Sequence, residues 1–119
     1  MYLHLNSLGL KGPLTANGWE QLPWLEFLTL AGNQLTGNLP SGWRLSRGLL
    51  VLDLSSNAIS GSIPLRWALP SSLTNLKLGH NGLEGSLPAA LPRGLTRLEL
   101  QGKAQSCAST SLRLAPLYI

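Results

Sequence analysis

The sequence predicts a solenoid, a chain wound into similar coils that each contribute one short strand and a bend. Three observations carry that expectation. Leucine, asparagine, glycine and proline recur in one register 24 residues apart, tryptophan recurs at the same spacing, and the 119 residues are 44% hydrophobic but only 12% charged. A single unit of this kind leaves its apolar side open to water. Only stacking against neighbours of the same pattern covers it.

The register is clearest in residues 49–64, LLVLDLSSNAISGSIP. Leu52-Asp53-Leu54 has the period of two of a strand with one buried face, and Asn57, Gly61 and Pro64 are turn-formers. Leu25, Leu28, Leu30, Asn33, Leu35, Gly37, Leu39 and Pro40 repeat the register upstream, and Leu73, Leu76, Leu78, Asn81, Leu83, Gly85, Leu87 and Pro88 repeat it downstream. Over about residues 1–104 this pattern resembles the plant-type leucine-rich repeat, LxxLxLxxNxLxGxIPxxL. The resemblance implies an α/β-type solenoid. It would be a right-handed superhelix with a parallel β-sheet on its concave face, turns and 3₁₀ segments on its convex face, and little α-helix.

In chain order the units read as 1–24, 25–48, 49–72, 73–94 and a partial 95–104, followed by an irregular tail at 105–119. The first matches at Leu3, Leu5, Leu10, Gly12 and Leu14 but carries Leu8 in the asparagine place, and it reads as a repeat whose beginning is cut away. The last places Lys103 where asparagine belongs. A long cation cannot do the work of a short amide, so repeat order is expected to fail there.

Three structural columns follow. Asn33, Asn57 and Asn81 form a ladder whose side chains bond backbone groups left unpaired by a sharp turn. Trp19, Trp43 and Trp67, with Leu91 in the next unit, fall on the return segments. They are expected to fill the convex side of the core, each indole burying its body while its N–H finds a turn carbonyl. Gly12, Gly37, Gly61 and Gly85 permit unusual backbone angles or close approach of coils, and Pro40, Pro64 and Pro88 fix the exit direction.

Composition excludes several function classes. The net charge of +4 comes from nine scattered Lys and Arg, with no basic run and no interleaved aromatics of the kind that stack bases, so no nucleic-acid partner is expected. The amino terminus lacks the basic and long apolar segments of a signal peptide. No run reaches the 18 or so apolar residues of a membrane span, so no membrane insertion by this chain is expected. Gly102-Lys103 lacks the earlier glycine of a phosphate loop, His4 and His80 belong to different units and have no partners at metal spacing, and no nucleophile elbow occurs. Neither catalysis, nor a metal, nor a cofactor is expected.

Recognition remains. The strand residues that point away from the core line the concave face, side by side at about 4.8 Å. One column reads His4, Thr29, Asp53, Lys77, Glu99; the next reads Asn6, Ala31, Ser55, Gly79, Gln101; the third Ser7, Gly32, Ser56, His80, Gly102; and Phe27, Val51, Asn75 and Arg97 precede the strand centre. The candidate contact residues are therefore Phe27, Thr29, Asp53, Ser55, Ser56, Lys77, His80 and Glu99. Asp53, Lys77 and Glu99 read in two ways, as a docking stripe for a polar peptide or as cross-strand pairs that satisfy one another.

The resemblance implies a non-catalytic module that binds a protein or peptide, in one of two settings. The Gly-x-Ile-Pro signature suggests a fragment of a receptor-like or inhibitor-like protein at the cell surface. The single cysteine and the absence of any Asn-x-Ser/Thr site suggest instead an intracellular scaffold of the cytoskeleton or ciliary axoneme. Open apolar ends also predict end-to-end self-association. Light scattering is expected to show mass rising with concentration; a clean monomer at high concentration would reject that expectation.

Overall fold

The computed structural model describes residues 1–14, 19–40, 43–63, 69–84, 92 and 94–100. Gly85, Pro64, Pro88, Leu91, Trp67, the partial unit beyond Leu100 and the 105–119 tail lie outside the described residues. Nine strands of three residues each are present in the described chain: β1 Tyr2–His4, β2 Lys11–Pro13, β3 Phe27–Thr29, β4 Gln34–Thr36, β5 Val51–Asp53, β6 Ser60–Ser62, β7 Asn75–Lys77, β8 Gly82–Glu84 and β9 Arg97–Glu99. The odd-numbered strands form one five-stranded parallel sheet in the order β1-β3-β5-β7-β9. Among the described residues there is one 3₁₀ turn, Trp19–Gln21, and no α-helix.

The main sheet is in strict register. Leu3, Leu28, Leu52, Leu76 and Leu98 stand opposite one another at the strand centres. Because side chains alternate along a strand, this row faces one way while its flanking residues face the other. From Leu28 onward the row is at most 5% exposed, and it joins Leu25, Leu49, Leu73 and Leu95 before the strands with Leu30, Leu54, Leu78 and Leu100 after them in a single core. Fully burying a leucine contributes about 1.5–3 kcal/mol, so the strand centres alone account for much of the cohesion between coils. In the first coil Leu3, Leu5, Leu10 and Leu14 are only partly buried against that core, and Leu8 is exposed.

The sequence suggests one strand per unit, and the described structure has two. β2 pairs with β4, and β6 with β8, as short parallel ladders. The same bonding bridges β4 and β6, where Ala58 N–H donates to Leu35 O and Ser60 N–H to Gly37 O. The segments Lys-Gly-Pro, Ser-Gly-Ser and Gly-Leu-Glu have the composition of turns, so propensity gives no sign of these strands. They exist because the coil beside them supplies partners for their backbone groups. Pro13 is compatible with this place because β2 has a neighbour on one side only.

Those second ladders are staggered by the asparagine column. Asn57 Nδ2 donates to Leu54 O and Ser55 O of its own turn at 3.0 and 3.1 Å, and to Leu30 O of the preceding coil at 3.0 Å. Its Oδ1 accepts from Leu35 N–H at 3.1 Å. Asn81 repeats the set with Leu78, Gly79, Leu54 and Ile59, and Asn33 with Leu30, Ala31, Leu5 and Leu10, adding Leu8 N–H at 2.9 Å. The residue whose N–H meets each amide oxygen then gives its carbonyl to the residue after that asparagine: Leu10 to Gln34, Leu35 to Ala58, Ile59 to Gly82. One side chain therefore closes its own turn and fixes the offset of the neighbouring coil.

The residue just before each asparagine, and Ser7 before Leu8 in the first unit, has left-handed backbone angles: Ser7, Gly32, Ser56 and His80 lie at φ between 54° and 71°. This bend turns the asparagine inward. At Gly32 a β-carbon would lie 2.8 Å from Ser7 Oγ, so glycine meets both the angle and the space. Ser7, Ser56 and His80 carry a Cβ at the same angle, which for an L-residue costs about 1–2 kcal/mol. Gly61 answers a different requirement, with φ at 82° and a hypothetical Cβ only 2.9 Å from Asn38 Cγ of the preceding coil.

The tryptophans divide. Trp43 has no exposed surface, while Trp19 is partly buried and meets it edge to face with ring centres 5.5 Å apart. Contrary to the sequence expectation, Trp43 Nε1 finds no acceptor among the described residues. The indole fits the return segment by its shape and apolar body, and among the described residues no turn carbonyl bonds its polar edge.

Three variants test this account by urea unfolding followed through tryptophan fluorescence. Asn57→Ala is expected to lower stability by about 2 kcal/mol, because Leu35 N–H loses its acceptor while Leu30 O and Leu54 O keep a bond from Asn33 or Asn81. Asn57→Asp is expected to cost more, since a carboxylate oxygen then faces three carbonyls. His80→Gly should raise stability by about 0.5–1 kcal/mol, the relief of the left-handed angle exceeding the added freedom of the unfolded chain; an unchanged or lowered urea midpoint would contradict the strain assigned to that turn.

Candidate binding surface on the concave sheet

The outward side chains of the main sheet form two rows. The register aligns Tyr2, Phe27, Val51, Asn75 and Arg97 in one row, and His4, Thr29, Asp53, Lys77 and Glu99 in the other. Taken together the rows pass from Tyr2, His4 and Phe27 over β1 and β3, through the uncharged Thr29, Val51 and Asn75, to the charged Asp53, Lys77, Arg97 and Glu99 over β5, β7 and β9.

At the aromatic end the rings of Tyr2 and Phe27 lie 4.3 Å apart, tilted by 40°, and Tyr2 meets His4 edge to face at 6.2 Å. Tyr2 is 60% exposed. Offset and edge contacts of this kind suit the ring quadrupole and add about 0.5–1.5 kcal/mol per pair beyond burial. The sequence columns include Phe27 but stop short of Tyr2, although Tyr2 precedes Leu3 as Phe27 precedes Leu28. The truncated first unit hides that equivalence. Thr29 is buried, and its hydroxyl is bonded to His4 Nδ1 at 3.1 Å, so it supports the aromatic end from beneath.

At the charged end, bonds run along the chain rather than across the strands. Asp53 Oδ1 accepts both the backbone N–H and the hydroxyl of Ser55, at 3.0 and 2.6 Å. Glu99 pairs with Arg97 of its own strand at 3.2 Å. Lys77 stands beside Asp53 on one side and Glu99 on the other in the register, yet it has no ion pair among the described residues. The cross-strand reading of Asp53, Lys77 and Glu99 thus gives way to local bonds that fix the two carboxylates and leave the ammonium between them unpaired.

The remaining candidates lie beyond the strands. Ser55 is bonded to Asp53, and Ser56 and His80 are exposed in the left-handed turn at the rim. Asn6 Oδ1 accepts from Ala31 N–H at 2.9 Å and belongs to the support of the same rim. Gln101 and Gly102 lie outside the described residues. Among the described residues no group of three His, Cys, Asp or Glu side chains is placed to hold a metal ion, and no helix is long and apolar enough to cross a membrane.

Comparison with known proteins agrees with this architecture. The family model described as Leucine Rich Repeat matches residues 24–45, 48–68 and 72–93. A search of curated proteins finds no match. Among solved structures, the chain is similar to the plant peptide hormone receptor RGFR1 in complex with RGF2, with 31% identity and a TM-score of 0.75 over 84% of this chain and 16% of that one. It is also similar to the BIR2 ectodomain from Arabidopsis thaliana, with 31% identity and a TM-score of 0.69 over 83% of this chain and 55% of that one. The chain thus spans a sixth of the first and about half of the second. With the asparagine-stitched coils and the parallel leucine ladder, these matches show that the chain belongs to the leucine-rich-repeat family, in its plant-type form.

Proposed function

We propose that this chain is a non-catalytic recognition module of a receptor-like cell-surface protein, and that its concave sheet docks a protein or peptide. The observation that carries the proposal is the graded face itself. Exposed Tyr2 lies against half-buried Phe27 at one end, and an unpaired ammonium lies between two locally fixed carboxylates at the other. A matching partner presents an apolar side chain to Tyr2 and Phe27 and a carboxylate to Lys77. Aromatic anchors supply most of the affinity at such surfaces, and charges set orientation and association rate.

The similar structures support the reading at a coarser level, since one is a plant peptide hormone receptor in complex with RGF2 and the other an ectodomain. The preformed strands favour it as well. Residues held in register on a sheet lose little freedom on binding, so contact energy is not spent on ordering the face.

A pull-down with the immobilised chain tests the assignment. Asp53→Ala with Lys77→Ala is expected to weaken capture of a bound partner by about tenfold or more, and Tyr2→Ala to do the same. Unchanged capture by both variants would reject the concave face.

A further inference from the structure

Away from the concave sheet, the return segment at residues 43–47 carries a feature that the stacking of coils does not use. A depression of about 320 Å³ is lined by Trp19, Pro23, Arg44, Leu45 and Arg47, between the first and second coils. A neighbouring one of about 370 Å³ shares Arg44, Leu45 and Arg47 and continues to Trp43 and Pro70 of the next coil. Together they border one strip across three return segments, apolar in its floor and flanked by two guanidinium groups.

The polar groups of this strip are donors. Arg44 and Arg47 are exposed and have no ion pair among the described residues. Of the carboxylates whose side chains are described, Glu26 lies beside the terminal ammonium, Asp53 is bonded to Ser55 and Glu99 to Arg97, so none of these three is turned to the arginines. Trp43 in the wall of the second depression is fully buried, so its indole N–H lies beneath the strip rather than on its surface. Ser46 in the first depression already gives its hydroxyl hydrogen to Pro23 O and accepts from Gly48 N–H. A guanidinium offers five N–H donors and no acceptor. The complement to such a set is an acceptor-only group, a carboxylate, next to an apolar side chain that covers Leu45 and the prolines.

We infer that this return-segment strip is a second docking site, distinct from the concave face, for an acidic peptide segment of a partner protein in which carboxylates flank an aliphatic residue. Charge complementarity selects that occupant, since the chain carries +4 overall and the strip concentrates two of its nine cations over apolar surface. A carboxylate held between Arg44 and Arg47 places its neighbouring aliphatic group against Leu45 and the Trp19 edge, and binding weakens with added salt.

The test is an NMR titration of the ¹⁵N-labelled full chain with the blocked peptide Leu-Glu-Leu-Glu-Leu, following the Trp43 indole N–H and the Leu45 and Arg47 amides. Saturable shifts of these signals are expected, with about tenfold weaker binding for the Leu-Gln-Leu-Gln-Leu counterpart and for Arg44→Gln with Arg47→Gln. Both arginines are exposed, so the variant retains the amide fingerprint, and each single substitution is expected to weaken binding about threefold. Absence of shifts, equal shifts with the neutral peptide, or unchanged binding by the double variant would overturn the site. Equal shifts with inorganic phosphate at the same concentration would also overturn it, by reducing it to a small-anion contact.

Discussion

A primary amide has two donors and two acceptor lone pairs on one short stem, and the fold depends on where that set is placed. Each asparagine of the ladder bonds carbonyls of its own turn and of the coil before it, and accepts an N–H from that earlier coil. Leu30 O and Leu54 O each receive two asparagines, one from their own coil and one from the next. The bonds therefore form a continuous chain along the solenoid rather than a set of separate turns. A buried backbone polar group without a partner costs about 1–3 kcal/mol, and in these tight bends the asparagine side chains are what prevent that cost.

The leucine rows act differently. Burial is non-directional and contributes in proportion to area, so it draws coils together without setting their offset. The offset comes from the main-sheet register and from the asparagine bonds that hold the short second ladders. Cohesion and alignment thus have separate physical sources in this protein. The outward rows of the sheet are free of both duties, which is why side chains as different as Phe27, Asp53 and Lys77 occupy equivalent places.

Much of this was legible in the residues. The 24-residue register fixes the leucine rows, because a strand centre must alternate and each coil must cover the last, and it marks the asparagines as turn residues. Three things were not legible. The second strands form from sequences without strand propensity, through partners supplied by another coil. The inter-coil half of the asparagine bonding depends on a stagger that a linear pattern does not express. The polar edge of Trp43 could be expected to find an acceptor from the residue type alone, but its actual neighbours are set by packing. On the candidate face, Lys77 and Asp53 were visible as a column, while the local capture of Asp53 by Ser55 depends on a turn two residues away.

The spacing from strand to asparagine is invariant across the three central coils, from Leu28 to Asn33, Leu52 to Asn57 and Leu76 to Asn81, whereas Leu98 follows Leu76 two residues sooner than Leu76 follows Leu52. In the sequence the difference falls in the return segment, since Leu95 follows Pro88 by seven residues where Leu73 follows Pro64 by nine. Such a chain is a ruler with one elastic edge. Its concave sheet keeps a constant pitch while the opposite face can gain or lose residues, so the two sides of the same coil are free to diverge at different rates.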